Sequence, residues 1–299
     1  MGHVISASRR TDIPAFYADW LLNRLRAGRV RVANPYNPAQ VRELSLRPGD
    51  VDALVLWTKH PAALLGRLDE MESLGHRFYF QYTLNDYPRE LEPGMPPLDE
   101  RVAVFEELAG RIGPERVVWR YDPIIVSDRS DFGYHRAAFA ALCARLGRHT
   151  RRVMVSVVDW YRKTRRNLQP LERRGYRFDY QAVQRPQMDG LLGQMASEAA
   201  DHGLQIRTCA EPRAFDAPGL EPGACVDGVL IEALWGVRRA WKQDAGQRSR
   251  CRCAESRDIG AFDPCLHACP YCYANRDPAA ARARHARHDP GADMLVPPA

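Results

Sequence analysis

The chain has 299 residues, of which 45% are hydrophobic and 27% charged, a balance ordinary for a soluble globular protein. No apolar run approaches the roughly 20 residues that a membrane-spanning helix needs, and the first residues lack the long apolar region of a secretory signal. We therefore expect a cytoplasmic protein without membrane contacts, in which clustered cysteines indicate metal binding rather than disulfides.

In chain order, apolar β-branched runs alternate with stretches of helical periodicity. The predicted strands are 3–8, 51–58, 77–83, 116–122, 152–159 and 204–210, and the predicted helices are 14–27, 61–74, 98–111, 133–147 and 186–202. This alternation predicts an α/β fold with a parallel sheet. An open (β/α)6 partial TIM-like barrel and a doubly wound open sheet both fit, and the polar ends of all six strands favour the partial barrel.

Polar residues at these strand ends are the candidates for chemistry. The carboxyl ends of parallel strands meet at one edge, so the residues that follow them should converge. The alternative is that strand ends are simply solvated, and Asp12 has a sufficient role as an N-cap of the first helix. The net charge of +6 gives nucleic-acid binding only weak support. The candidate catalytic residues are Lys59, Arg120, Asp122 and Glu211.

The sharpest motif lies near the end, in "DPCLHACPYCYAN". Cys265, Cys269 and Cys272 stand at C-x3-C-x2-C spacing, and we call them the cysteine trio. Three thiolates this close suit a cubane iron–sulfur cluster, and they leave one iron without a protein ligand. Zinc is the competing interpretation, because a C-x2-C pair is also typical of zinc sites.

The trio and its flanks resemble the signature of radical S-adenosylmethionine (radical SAM) enzymes. The resemblance implies a [4Fe-4S] cluster whose open iron binds S-adenosylmethionine (SAM), a reductive cleavage that yields an adenosyl radical, and an electron donor such as ferredoxin or flavodoxin. It also implies that Tyr271 lies against the adenine. Arg9 and Arg10 are candidate partners for the SAM carboxylate. In that superfamily the motif follows the first strand, whereas here it follows the last.

A second resemblance covers nearly the whole chain. The segments "SASRRTDIPAFY", "LWTKHP", "FQYTLN", "GPERVVWRYDPI", "TCAE" and "CLHACPYCYAN" resemble the domain-of-unknown-function family 1848 (DUF1848). This resemblance implies the fold and a C-terminal cysteine cluster, and it implies no substrate. For the trio to reach the mouth of the barrel, the C-terminal segment must fold back over the strand ends.

Five cysteines lie outside the trio. Cys143 sits in an apolar helical stretch and is interpreted as a core residue. The other four suit a second site, either an auxiliary iron–sulfur cluster or zinc. Alternatively, Cys209 and Cys225 could be buried apolar residues. Either Cys251 or Cys253, which form a C-x-C pair, could instead supply a fourth ligand that closes the main cluster. We call these four the four-cysteine set: Cys209, Cys225, Cys251 and Cys253.

The predicted organisation has three parts: a barrel core over 1–210, a cysteine-rich segment over 211–278 that packs on the barrel, and a flexible tail over 279–299. The predicted function is a radical SAM-like enzyme acting on an unknown substrate. The alternative is a non-catalytic iron–sulfur or zinc protein with a redox-sensing, structural or nucleic-acid-binding role.

Overall fold

The computed structural model describes residues 2–297 and shows an α/β fold built on an eight-stranded, fully parallel, open sheet. The strands are β1 His3–Ala7, β2 Arg29–Asn34, β3 Asn37–Ser45, β4 Val51–Thr58, β5 Phe78–Thr83, β6 Val117–Ile124, β7 Arg152–Val157, β8 Gln205–Thr208, β9 Glu221–Pro222 and β10 Ser256–Asp258. The helices are α1 Ile13–Phe16, α2 Ala18–Ala27, α3 Ala62–Leu65, α4 Leu68–Ser73, α5 Leu98–Ile112, α6 Phe132–Leu146, α7 Arg162–Glu172, α8 Pro186–Asp201, α9 Gly228–Trp235 and α10 Pro278–His285.

The strand order is β10-β1-β4-β5-β6-β7-β8-β9. The six predicted strands are therefore confirmed, and they pair in the order in which they occur in the chain. The C-terminal segment adds one short strand at each edge. In register, Ile5 pairs with Leu54, and Leu54 with Phe78. Because the order never reverses along the chain, consecutive right-handed crossovers place their helices on the same face.

Apolar side chains confirm that the helices cover one face. Leu21 of α2, Phe105 of α5 and Leu142 of α6 belong to one buried cluster that includes Phe80 and Trp119 of the sheet. Residues adjacent to these in the strands point the other way, since side chains alternate along a strand. The second face is therefore free of the crossover helices.

The C-terminal segment covers this second face. Val55 and Val118 of the sheet form a separate buried cluster with Ile231 of α9 and with Cys225 and Cys253. Arg120 and Asp122 alternate with Tyr121, so they point toward this face too. The sheet is thus a layer between the crossover helices and the cysteine-rich segment.

Several local features differ from the sequence prediction. Residues 29–45, for which no element was predicted, form an antiparallel hairpin of β2 and β3. The predicted helix 14–27 ends and restarts around Tyr17, and helix 61–74 is interrupted at Gly66. Within residues 2–297, no helix has the length and apolar character needed to cross a membrane.

The stretch predicted as a flexible tail contains α10 in the part of the chain that is described. Asp277 caps this helix by accepting a hydrogen bond from the Ala280 N–H, and proline at the first helical position favours its start. Beyond the helix, the Trp20 indole N–H donates to the Ala292 carbonyl at 3.0 Å. Residues 298–299 lie outside the described residues.

Candidate functional site

The segment that carries the trio, residues 263–275, lies across the carboxyl ends of the strands, and we call it the cysteine loop. The Tyr273 hydroxyl donates to the carbonyl of Arg9 at 2.6 Å, just after β1. The Gly94 N–H, in the connection after β5, donates to the carbonyl of His267 at 3.1 Å. A Cβ at position 94 would collide with that carbonyl, so the close approach requires glycine. The late motif therefore reaches the strand ends by folding back.

The trio lies in a largely apolar environment. Cys269 and Tyr271 are buried in a cluster that includes Tyr87 and Ile125, from the connections after β5 and β6, and Leu168 of α7. Burial raises the pKa of Cys269 to about 12, an effect that the nearby Lys59 ammonium partly offsets. Water is thus largely excluded from this side of the loop.

Backbone groups point at the sulfurs of the trio. The Ala274 N–H donates to Sγ of Cys272 at 3.3 Å, and the His267 N–H donates to the thiol of Cys265. The charge of Cys272 contributes to raising the pKa of both Cys265 and Cys269, so the three thiols lie close to one another. Such N–H···S bonds are typical of thiolates that bind a metal centre.

A buried carboxylate, Glu92, connects the loop to the sheet. Its side chain is 1% exposed and accepts a hydrogen bond from Lys59 Nζ at 2.7 Å, from Arg101 Nη1 at 3.2 Å and from the Tyr271 hydroxyl at 2.6 Å. Burial opposes ionisation of this group, but the two cations lower its pKa below the usual value. Glu92 therefore neutralises two buried cations and orients the aromatic ring of the cysteine loop.

Asp12 has more partners than a helix cap needs. It accepts from the Ala15 N–H at 3.0 Å, which confirms the predicted N-cap of α1. Its second oxygen accepts from the Lys59 N–H at 2.7 Å and from His267 Nε2 at 2.7 Å. One carboxylate thus joins the ends of β1 and β4 to the cysteine loop.

The four-cysteine set gathers on the face of the sheet opposite the crossover helices, where α9 also packs. Sγ of Cys209 and Sγ of Cys225 are 3.2 Å apart, and the neighbouring Cys253 thiol affects the pKa of both Cys225 and Cys251. The hydrogen bond with Cys225 lowers the pKa of Cys209 to about 7. Cys251 and Cys253 therefore lie with this set and not with the trio.

Two arginines flank an indole next to these thiols. The guanidinium carbons of Arg9 and Arg120 lie 5.2 Å and 5.0 Å from the ring centroid of Trp57. Arg120 Nη1 donates to Sγ of Cys225 at 2.7 Å, and Cys253 raises the pKa of Arg9, which burial alone would lower. This arrangement places positive charge against the four-cysteine set.

Both arginines after β1 are engaged by the strand that the C-terminal segment contributes. Asp258 of β10 accepts from the Arg9 N–H at 2.9 Å, from Arg10 Nη2 at 3.0 Å and from the Ser8 hydroxyl at 2.6 Å. Gly260 packs so closely against Ser8 that a Cβ there would collide with it. Arg10 also borders a cavity of about 220 Å³ that reaches Phe262.

The remaining predicted catalytic residues lie at the ends of β6 and β8. Asp122 pairs with Arg120 and accepts a hydrogen bond from Ser156, and although burial opposes its ionisation, Arg120 lowers its pKa. Glu211 accepts from the Val157 N–H at 2.9 Å, and burial raises its pKa to about 8. The structure therefore brings to one edge two carboxyl groups whose pKa values are shifted in opposite directions, that of Asp122 down and that of Glu211 up.

Sequence reasoning missed three residues that organise the site. Glu92, Asp258 and His267 each join the C-terminal segment to the strand ends. Asp258 lies in "RDIGAFD", and nothing local distinguishes its carboxylate from a solvated one. Glu92 lies in "LEPG", and nothing local distinguishes its carboxylate from an exposed one.

The donors at the trio fit an anionic, thiolate-bound group. Within residues 2–297, no three His, Cys, Asp or Glu side chains converge on one point as ligands of a single ion. An iron–sulfur cluster does not require such convergence, because its cysteines bind different irons. The three thiols, the N–H···S bonds and the Lys59 ammonium suit that group.

The sequence matches a family described as "Domain of unknown function (DUF1848)" over residues 4–274. No curated protein matches the chain. Among solved structures, a short-chain type dehydrogenase/reductase from Mycobacterium marinum is similar over 69% of this chain and 72% of that chain, at 10% identity and a TM-score of 0.25. A likeness this low carries no argument about fold or function.

Proposed function

The chain belongs to the family described as Domain of unknown function (DUF1848), and we propose that it is a radical SAM-like enzyme with a [4Fe-4S] cluster on Cys265, Cys269 and Cys272. One observation carries the proposal: Cys251 and Cys253 lie with the four-cysteine set, so they do not close the trio. Three cysteine ligands leave one iron open, as catalytic metal sites do. When bound, the cluster would supply the electron that cleaves SAM.

The residues around the trio have definable roles in this proposal. Lys59 places a positive charge beside Cys269, which favours an anionic thiolate-bound group. Glu92 balances Lys59 and Arg101, and through its hydrogen bond it orients the Tyr271 ring that the resemblance assigns to adenine. The apolar cluster around Cys269 and Tyr271 excludes water from reactive species.

The substrate side of the proposed site comprises the ends of β6 and β8. Asp122, held by Arg120, offers a carboxylate, and Glu211 offers a proton near neutral pH because its pKa is raised to about 8. Arg9 and Arg10 remain the proposed partners of the SAM carboxylate. Asp258 holds the Arg10 guanidinium but only the backbone N–H of Arg9, whose guanidinium lies over Trp57.

Three further expectations belong to the same proposal. The predicted partial barrel is supported by the consecutive strand order and by helices on a single face of the sheet. A ferredoxin or flavodoxin would supply the electron. A reducing compartment such as the cytoplasm would keep the thiols available for metal.

Iron binding and SAM cleavage in matched variants test the proposal. Cys269→Ala should lose the iron of the trio and the release of methionine from SAM under dithionite. Cys143→Ala is the matched control, because this thiol is buried in the helix-side core away from both cysteine groups. Equal iron loss in both variants, or methionine release that persists in Cys269→Ala, would overturn the assignment. If the unmodified chain binds its full complement of iron but releases no methionine from SAM, a non-catalytic iron–sulfur protein is favoured.

A further inference from the structure

Four thiols from separate parts of the chain meet on the face of the sheet opposite the crossover helices. Cys209 follows β8, Cys225 precedes α9, and Cys251 and Cys253 precede β10. Three of them are buried and the fourth is half-buried. A thiol is a weak hydrogen-bond donor and acceptor, so packing alone gives little reason to collect four of them beside two arginines.

We propose that the four-cysteine set binds a single tetrahedral metal ion of the zinc class, with all four positions filled by thiolates. This site is separate from the trio and does not rest on SAM chemistry. Its four protein ligands would close it to substrate, which is the arrangement of structural zinc sites.

The spacing of the sulfurs favours one ion over a second cluster. A zinc–sulfur distance of about 2.3 Å in a tetrahedron places the sulfurs about 3.8 Å apart. Cys209 and Cys225 have their sulfurs 3.2 Å apart, and the Cys253 thiol lies close enough to Cys225 and Cys251 to affect the pKa of both. Ligands on different irons of a cluster lie farther apart, because metal–metal edges separate them. Among the described residues, no sulfur–sulfur hydrogen bond joins two members of the trio.

The sulfurs form a row of pairwise contacts, Cys209–Cys225–Cys253–Cys251, rather than a shell around one point. Binding an ion would close this row into a tetrahedron. Backbone N–H groups already point at two of the sulfurs: Val226 donates to Cys253 at 3.4 Å, and Cys253 donates to Cys251 at 3.5 Å. Metal-bound thiolates commonly accept such hydrogen bonds from groups that do not themselves bind the metal.

Charge complements the proposed site. Four thiolates around a divalent ion carry a net negative charge, and Arg120 already donates to Cys225 at 2.7 Å. The Arg9 guanidinium lies against the Cys253 thiol, and among the described residues its buried Nη2 makes no geometric hydrogen bond. A thiolate shell would give this donor acceptors.

The proposed ion has a structural consequence. It would tie the end of β8 to the segment that leads into β10, and β10 carries Asp258, which holds Arg9 and Arg10. The position of the cysteine loop would therefore depend on this site. Loss of the ion should loosen the C-terminal segment and leave the pairing of the central strands intact.

Metal analysis of a full-length chain without the trio tests the proposal. We expect the triple variant Cys265→Ala/Cys269→Ala/Cys272→Ala to retain about one zinc per chain without acid-labile sulfide. Co²⁺ in place of zinc should give the intense absorption bands of tetrahedral thiolate coordination. Adding Cys225→Ser should abolish both signals, whereas adding Cys143→Ala should preserve them.

Two results would overturn the proposal. Iron together with sulfide in the triple variant would indicate a second cluster, and a folded triple variant that binds neither zinc nor Co²⁺ would leave the set as free thiols. Should the triple variant aggregate, zinc-edge X-ray absorption of the unmodified chain decides the question. Four sulfur neighbours at about 2.3 Å support the site, and nitrogen or oxygen ligands refute it. Because these readouts need no SAM, they are independent of the proposed enzyme activity.

Discussion

Replacing Glu92 by glutamine tests whether the cysteine loop is anchored to the sheet by a buried charge network. In the protein this carboxylate faces Lys59 at 2.7 Å and Arg101 at 3.2 Å, and the Arg101 side chain is only 5% exposed. Glu92→Gln keeps the shape but leaves two cations without their counter-charge. Breaking a buried pair in this way costs about 3–5 kcal/mol, because the remaining charges stay desolvated.

The assay is urea unfolding followed by tryptophan fluorescence, with all variants at the same metal content. Tyr271→Phe removes one hydrogen bond to the same carboxylate and should cost about 1.5–3 kcal/mol. Glu43→Gln is the surface control, since Glu43 pairs with Arg29 where both side chains are more than half exposed. A Glu92→Gln variant no less stable than Glu43→Gln would refute the anchoring role of this network.

Three further predictions concern stability away from the trio. Burial lowers the pKa of His135 to about 4, so the free energy of unfolding should fall by up to about 3 kcal/mol as the pH drops from 6.5 to 4. His135→Gln should remove this dependence, and an unchanged pH profile of urea midpoints in the variant would contradict it. Asp258→Asn deprives Arg10 of a partner in an ion pair whose side chains are only 13% and 14% exposed, and should cost about 3 kcal/mol by urea unfolding, whereas a loss below ~0.5 kcal/mol would contradict the contact. Asp227 caps α9 through the N–H groups of the helix start, so Asp227→Ala should cost about 1 kcal/mol or more in thermal unfolding, and an unchanged melting temperature would contradict the cap.

The sheet could be predicted from the sequence because its strands are long apolar runs bounded by helical periodicity. Burial on both faces leaves a continuous hydrophobic signal, as in "VDALVLWT" of β4. The edge strands β9 and β10 have two and three residues and no such signal, so only their pairing partners define them. The hairpin of β2 and β3 is mostly exposed, and its alternation is correspondingly weak.

The parts of the site that form a short sequence motif could be predicted. The parts that depend on contacts between distant segments could not. The spacing of the trio is a local pattern, and the alternation of Arg120 with Asp122 correctly places both on the face opposite the helices. Glu92 and Asp258 acquire their roles from contacts made across 179 and 249 positions of the chain. Such long-range contacts leave no periodic or compositional trace in the sequence.

Low-temperature electron paramagnetic resonance of the reconstituted, dithionite-reduced protein, with and without SAM, shows whether the trio holds an iron–sulfur cluster with an open iron. We expect a reduced-cluster signal that changes when SAM is added, because one iron of the proposed cluster at the trio lacks a protein ligand. A cluster signal indifferent to SAM would show that the iron is closed and would contradict the proposed enzyme. Zinc at the trio, with no iron taken up, would contradict the cluster itself.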